Sequence, residues 1–187
     1  MAEQSATVVR KALLTDVTAL VELINAYASE GIMLPRTEFE LAENVRDFTV
    51  AVDGGSVVGC GALHFYGPRT GEIRSLAVHP GWKQHGIGKQ LVQALEAEAV
   101  ANGLRSLFAF TYIPGFFSKL DFVEVDRRLL PSKVWKDCLR CPKLQCCDEI
   151  AMQKLLAPME AVGDMAADEP VNGFVVLPTF AGSANKI

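Results

Sequence analysis

The chain has 187 residues, 50% of them hydrophobic and 21% charged, with a formal net charge of −4. That length suffices for one domain with a sizeable core, and the acidic balance argues against nucleic acid as a partner, so the basic residues that matter act locally. No apolar run reaches the ~18 residues a bilayer span needs, and the polar start MAEQSAT lacks the shape of a secretion signal, so a cytoplasmic protein with no membrane partner is expected.

Thr7–Ala12 reads as a first strand. Thr15 is placed to cap a helix whose Val17, Leu20, Val21, Ile24 and Tyr27 recur at helical spacing as an apolar stripe. Ser29–Thr37 is a loop, broken at Gly31 and Pro35, and Thr37 with Glu40 makes a capping box for a second short helix reaching about Val45. Strands follow at Phe48–Val52 and Val57–Phe65, joined by the hairpin signal Asp53-Gly54-Gly55-Ser56.

The stretch from Gly71 to Gly103 organises the rest. GEIRSLAV is short, apolar and β-branched, so it reads as a strand, while Ile87, Leu91, Ala94, Leu95 and Ala99 recur at helical spacing. A helix that starts at a glycine-rich turn offers free backbone N–H groups and the positive end of its dipole, and both favour a phosphate. Lys83 and Lys89 flank that turn. Beyond it, Ser106–Phe110 is an apolar fifth strand, Phe116–Leu120 a helical turn leading into Phe122–Val125, Ser132 the start of a last helix, and Glu149–Leu155 a final strand.

Lys83-Gln84-His85-Gly86-Ile87-Gly88 resembles the pyrophosphate loop of the GCN5-related N-acetyltransferases (GNAT), with Lys83 where that family has Arg or Gln. Ser29–Thr37, Val58–His64, Gly71–Pro80 and Leu129–Lys133 look, more narrowly, like the acetyltransferase domain of bacterial N-acetylglutamate synthases. Short single-domain members match through Gly71-Glu72-Ile73-Arg74, His85-Gly86-Ile87-Gly88 and Thr111 followed by Phe116-Phe117, and the resemblance runs in register over about residues 7–156. It implies an α/β fold of α+β type, a central mixed sheet of six to seven strands flanked by helices, with acetyl-CoA in the cleft between strands four and five. The pantetheine arm would lie along Leu76, Ala77 and Val78, and the phosphates on Lys83, Gln84, His85, Gly86, Ile87, Gly88 and Lys89. Long synthases also carry an arginine-binding kinase-like domain; 187 residues leave no room for it, so feedback through it is not expected.

The implied reaction moves an acetyl group from the thioester to the α-amine of L-glutamate, the first step of arginine biosynthesis, by direct transfer. The amine is protonated at neutral pH, so a base must take its proton, directly or through water. Glu72 is the candidate, since a carboxylate in an apolar strand is costly unless satisfied or used; the alternative is a plain ion pair with an arginine. A backbone N–H of Ala77 or Val78 suits the oxyanion. The tyrosine that the family often uses to protonate the leaving thiolate is replaced by Phe117, which leaves Thr111 and Tyr112 as substitutes, though a thiolate leaves readily near pH 8 without one. For the two carboxylates of glutamate, Arg36, Arg74 and Lys133 are the candidates. Arg74 shares a strand face with Glu72. Pro35 stands where the synthases often have a second arginine, which favours glutamine or another small amine as the alternative acceptor. A reading of another class is a non-catalytic coenzyme A sensor.

His64, His79 and His85 lack metal-ligand spacing. Cys138, Cys141, Cys146 and Cys147 read as reduced packing thiols, with zinc and redox sensing as alternatives; no metal is expected. Residues 1–156 form the catalytic domain in this reading. Residues 157–187 begin as a small, acidic linker, and Phe174-Val175-Val176-Leu177-Pro178 is one more strand, pairing with an edge of its own domain or of a second subunit in a homodimer, or else a loose tail.

Overall fold

A computed structural model describes residues 7–130 and 137–156. Strands β1 (Val8–Lys11), β2 (Phe48–Asp53), β3 (Ser56–Phe65) and β4 (Thr70–Val78) form an antiparallel meander, turned at Gly54-Gly55 between β2 and β3. Strands β5 (Ser106–Thr111), β6 (Val123–Glu124) and β7 (Ile150–Leu155) complete one seven-stranded sheet in the order β1-β2-β3-β4-β5-β7-β6, and only the β4–β5 pair is parallel. This is the mixed sheet expected.

Helices cover both faces. Helices α1 (Val17–Ser29) and α2 (Glu38–Glu43) pack on one face, where Leu20, Ile24 and Leu41 meet Val50, Cys60, Ala62 and Ala77. Helix α3 (Ile87–Ala101) lies on the other, and two glycines bring it close. A Cβ on Gly59 would sit 3.0 Å from Ile87 and 3.1 Å from Leu91, and one on Gly61 would sit 3.1 Å from Leu95. Only a bare α-carbon lets the backbone approach that near. A short helix α4 (Pro114–Ser118) follows β5 and buries Phe117 with Leu120 and Phe122.

The capping box at Thr37 is present: its side chain accepts from the Glu40 amide, and Glu40 reaches back to the Thr37 amide. Thr15, however, does not cap α1. A 3-10 turn at Leu14–Asp16 precedes the helix, and the Asp16 carboxylate takes the Leu13 amide at 2.8 Å and the Arg10 guanidinium at 2.6 Å. Asp16 is the N-cap residue of α1 but gives the helix no side-chain bond, because its charged carboxylate is taken by Arg10 and the Leu13 amide. Nor do the described residues after 136 continue a helix; Cys138–Arg140 and Leu144–Cys146 are 3-10 turns. Ser132, Lys133 and the strand proposed at Phe174–Pro178 lie outside the described residues. Among the described residues no helix is long and apolar enough to cross a membrane.

Candidate active site

β4 and β5 pair only at Thr70–Ser106, Gly71–Leu107 and Glu72–Phe108. Beyond Glu72 the two strands diverge, and β4 runs on to Val78 with its β5-facing edge open. A bulge sharpens the divergence: the β3–β4 register slips between Cys60 and Ala62, and Ser75 takes a left-handed φ of 52°. At the end of β4 the His79 amide donates to Val58 on β3 at 2.8 Å. Backbone groups alternate along a strand, so the N–H and C=O of Val78 face the gap. Tyr27 of α1 reaches across to donate its hydroxyl to that carbonyl at 2.6 Å, and Lys83 lies 5.1 Å over the Tyr27 ring.

The gap leads to the start of α3. Gly86, at a φ of 77°, is its N-cap and has no side chain to bind the first amides. Gln90 donates to the Gly86 carbonyl, so the N–H groups of Ile87, Gly88 and Lys89 lie outside the helical ladder. Lys83, Gln84, His85 and Lys89 are exposed around them. Gln84 is left-handed at 70°, and the His85 ring closes the turn on the Lys83 carbonyl at 2.9 Å. Gly88 faces Phe116, whose ring would lie 3.3 Å from an added Cβ. Leu76, Ala77 and Val78 form the open strand edge beside this turn. The residues present therefore fit an elongated ligand with phosphates at one end.

On the α1 side of the sheet stands the charged part of the site. Glu72 is fully buried, in register with His64 on β3 and Phe108 on β5. Tyr66 packs edge-on against His64 and tilted against Phe108, and its phenol is pushed well above its ordinary value, first by burial and then by the negative charge of Glu72. Arg74, two residues along β4, donates to Asp137 at 3.1 Å and lies 3.8 Å from Asp47. Asp47 also binds the His64 ring at 3.0 Å. Arg36 sets both terminal nitrogens on Asp137, at 3.1 and 3.2 Å. Its loop is held to α1 because Asn25 brackets the Arg36 backbone, donating to its carbonyl and accepting from its amide at 2.9 Å each.

Arg36 and Arg74 meet on Asp137, with Asp47 also close to Arg74, and Glu72 lies two residues along β4 from Arg74. Thr111 is buried at the end of β5, and its hydroxyl accepts from the Ile113 amide at 3.0 Å. Tyr112 points to a surface cluster instead: its hydroxyl donates to Asp148 at 3.0 Å and accepts from Lys143 at 3.1 Å. Lys133 lies outside the described residues. Sequence reasoning missed Asp137, Asp47, His64 and Tyr66; the two-residue alternation from Ala62 through His64 to Tyr66 was the one available signal. Cys60, Cys141, Cys146 and Cys147 are free thiols, and among the described residues no three His, Cys, Asp or Glu side chains stand together to hold a metal.

The profile of the Acetyltransferase (GNAT) family matches residues 18–122. An uncharacterised N-acetyltransferase of Chlorobaculum tepidum is 43% identical over 150 residues, 80% of this chain and 97% of that protein. An amino-acid acetyltransferase of Mycobacterium tuberculosis is 37% identical over 136 residues, 71% of this chain and 78% of the relative. Among solved structures, N-acetylglutamate synthase from Neisseria gonorrhoeae, complexed with coenzyme A and N-acetyl-glutamate, superposes with a TM-score of 0.74 at 25% identity. That likeness covers 84% of this chain and 37% of the synthase.

Proposed function

This chain belongs to the acetyltransferase (GNAT) family and is an acetyl-CoA-dependent N-acetyltransferase; from that premise we propose that its acceptor is the α-amine of L-glutamate, in the manner of an N-acetylglutamate synthase of arginine biosynthesis. The observation that carries this reading is the convergence of Arg36 and Arg74 on one carboxylate beside buried Glu72. Two guanidinium groups so placed hold a carboxylate bidentately, with a base two residues along the strand from one of them.

In this reading Glu72 takes a proton from the acceptor's ammonium group, directly or through one water, and the freed nitrogen attacks the thioester carbonyl. The gap-facing N–H of Val78 is the donor for the oxyanion, and Ala77, one residue back, faces the β3 side. As the tetrahedral centre collapses the carbon–sulfur bond breaks and the electron pair leaves on sulfur. Thr111 is the hydroxyl assigned to hydrogen-bond that thiolate as it leaves, because its oxygen accepts from Ile113 and keeps its own hydrogen to donate, and the thiolate then takes its proton from solvent. Tyr112, already engaged with Asp148 and Lys143, is dropped from that role. The amides at the start of α3, with Lys83 and Lys89, bind the phosphates.

One observation favours a second acceptor class. Both terminal nitrogens of Arg36 are taken by Asp137, which suits an acceptor with a neutral side chain such as glutamine. The test is release of free thiol from acetyl-CoA with glutamate, glutamine, aspartate or no acceptor, together with Glu72→Gln and Arg74→Ala. Glutamate-dependent release that is lost in both variants supports the reading. Coenzyme A binding with no acceleration by any amino acid overturns it.

A further inference from the structure

Asp137 is only 4% exposed, and three arginines surround it. Arg36 approaches at 3.1 and 3.2 Å, Arg74 at 3.1 Å and Arg140 at 3.4 Å. It stands at the N-cap of the 3-10 turn Cys138–Arg140, where an aspartate ordinarily folds back onto its own turn. Here its side chain makes no such bond and points to the arginines instead. Arg140 is mainly occupied by Glu40. Among the described residues Arg36 and Arg74 stand against the carboxylates of Asp47 and Asp137, so both guanidinium groups already face a carboxylate before any acceptor arrives.

We propose that Asp137 is an internal occupant of the acceptor's carboxylate seat and so sets the preference between a dicarboxylate acceptor and one with a neutral amide side chain. The inference rests on the reading of Arg36 and Arg74 as acceptor-binding groups. A carboxylate from the acceptor has the same chemistry as the Asp137 side chain and needs the same guanidinium fork, so the two compete. An amide does not compete. Its NH2 group donates to Asp137 while its oxygen accepts from an arginine, and every group in the resting cluster keeps a partner. Asp137 therefore weakens dicarboxylate binding and leaves amide binding supported.

The test is Asp137→Ser, whose smaller side chain vacates the seat without adding charge. The ratio of kcat/KM for glutamate to that for glutamine is expected to rise about tenfold, chiefly through the KM for glutamate. An unchanged ratio, or an equal fall for both acceptors, makes Asp137 a brace for the arginines and overturns the proposal. Binding of glutarate and of its monoamide to the coenzyme A-bound protein, measured by calorimetry, gives the same comparison without turnover: glutarate should gain about tenfold in the variant and the monoamide should not. If wild type turns over neither amino acid, the assignment of the acceptor fails while this binding comparison still decides the role of Asp137. If the variant unfolds for want of a carboxylate, glutarate added during refolding should recover it, and failure to recover it overturns the proposal.

Discussion

The phenol of Tyr27, on the first helix, donates a 2.6 Å hydrogen bond to the carbonyl of Val78, at the far end of the strand that carries Glu72. It satisfies a backbone oxygen that β5 has left unpaired, and it fixes the peptide edge assigned here to the oxyanion. Tyr27→Phe removes only the hydroxyl. The expected result is a threefold to tenfold fall in kcat/KM with a loss of about 1 kcal/mol in stability, the worth of one such bond. Urea unfolding and acetyl-CoA kinetics on the same preparation check both; an unaltered kcat/KM would separate the bond from catalysis.

Glu72→Gln keeps the shape of a fully buried side chain and removes its capacity as a base. Turnover should fall at least ~100-fold. Coenzyme A affinity by calorimetry should stay within about twofold, because the phosphate-binding turn is built from other residues. Retained turnover would move the base elsewhere, and His64, in register with Glu72 and tied to Asp47 at 3.0 Å, is the next group to replace.

The Arg10 hydrogen bond, aided by the Leu13 amide, holds the Asp16 carboxyl below its ordinary value despite burial that opposes it. A carboxyl depressed in the folded state stabilises the protein above its unfolded pKa, and that contribution is lost as pH falls through the folded value. Asp16→Ala should therefore cost about 1–3 kcal/mol at neutral pH, as loss of a charged hydrogen-bond partner does. The difference from wild type should shrink as the pH drops below about 4. Parallel urea titrations at neutral and acidic pH measure it; a gap independent of pH would assign the loss to packing.

Gly71→Ala would set a Cβ 2.8 Å from Leu104 and 3.0 Å from Leu63, across the first paired residues of β4 and β5. Over-packing of this kind costs about 1–3 kcal/mol. A thermal melt should show a loss of several degrees, and an unshifted midpoint would mean that Leu104 yields without strain.

Much of the frame was legible because it is local. The Thr37–Glu40 box, the Gly54-Gly55 hairpin and the glycine turn before Ile87 are each written within a few residues, and each formed where its spacing put it. The start of α1 was less legible, since a 3-10 turn precedes the helix and Asp16 turns its carboxylate back to Arg10 and Leu13 rather than onto the helix. Asp137 was not legible at all. It meets Arg36 across 101 positions of chain, and no local pattern marks an aspartate as turned away from its own turn. Arg74 could be put on the face of Glu72 by alternation, but which carboxylate it meets depends on segments that only the fold brings together.

A sheet whose strands part in the middle has an edge inside the molecule. Exposed strand edges invite pairing with other chains, and proteins commonly blunt them with charge or short length. Here the open edge of β4 begins immediately after three paired residues and lies alongside the continuing β5, while α1 holds its last carbonyl through Tyr27. A foreign strand could reach it only by wedging the two halves of the sheet apart. The chain thus keeps unpaired peptide groups accessible to a slender extended molecule while withholding them from the strand-to-strand aggregation that such groups ordinarily seed.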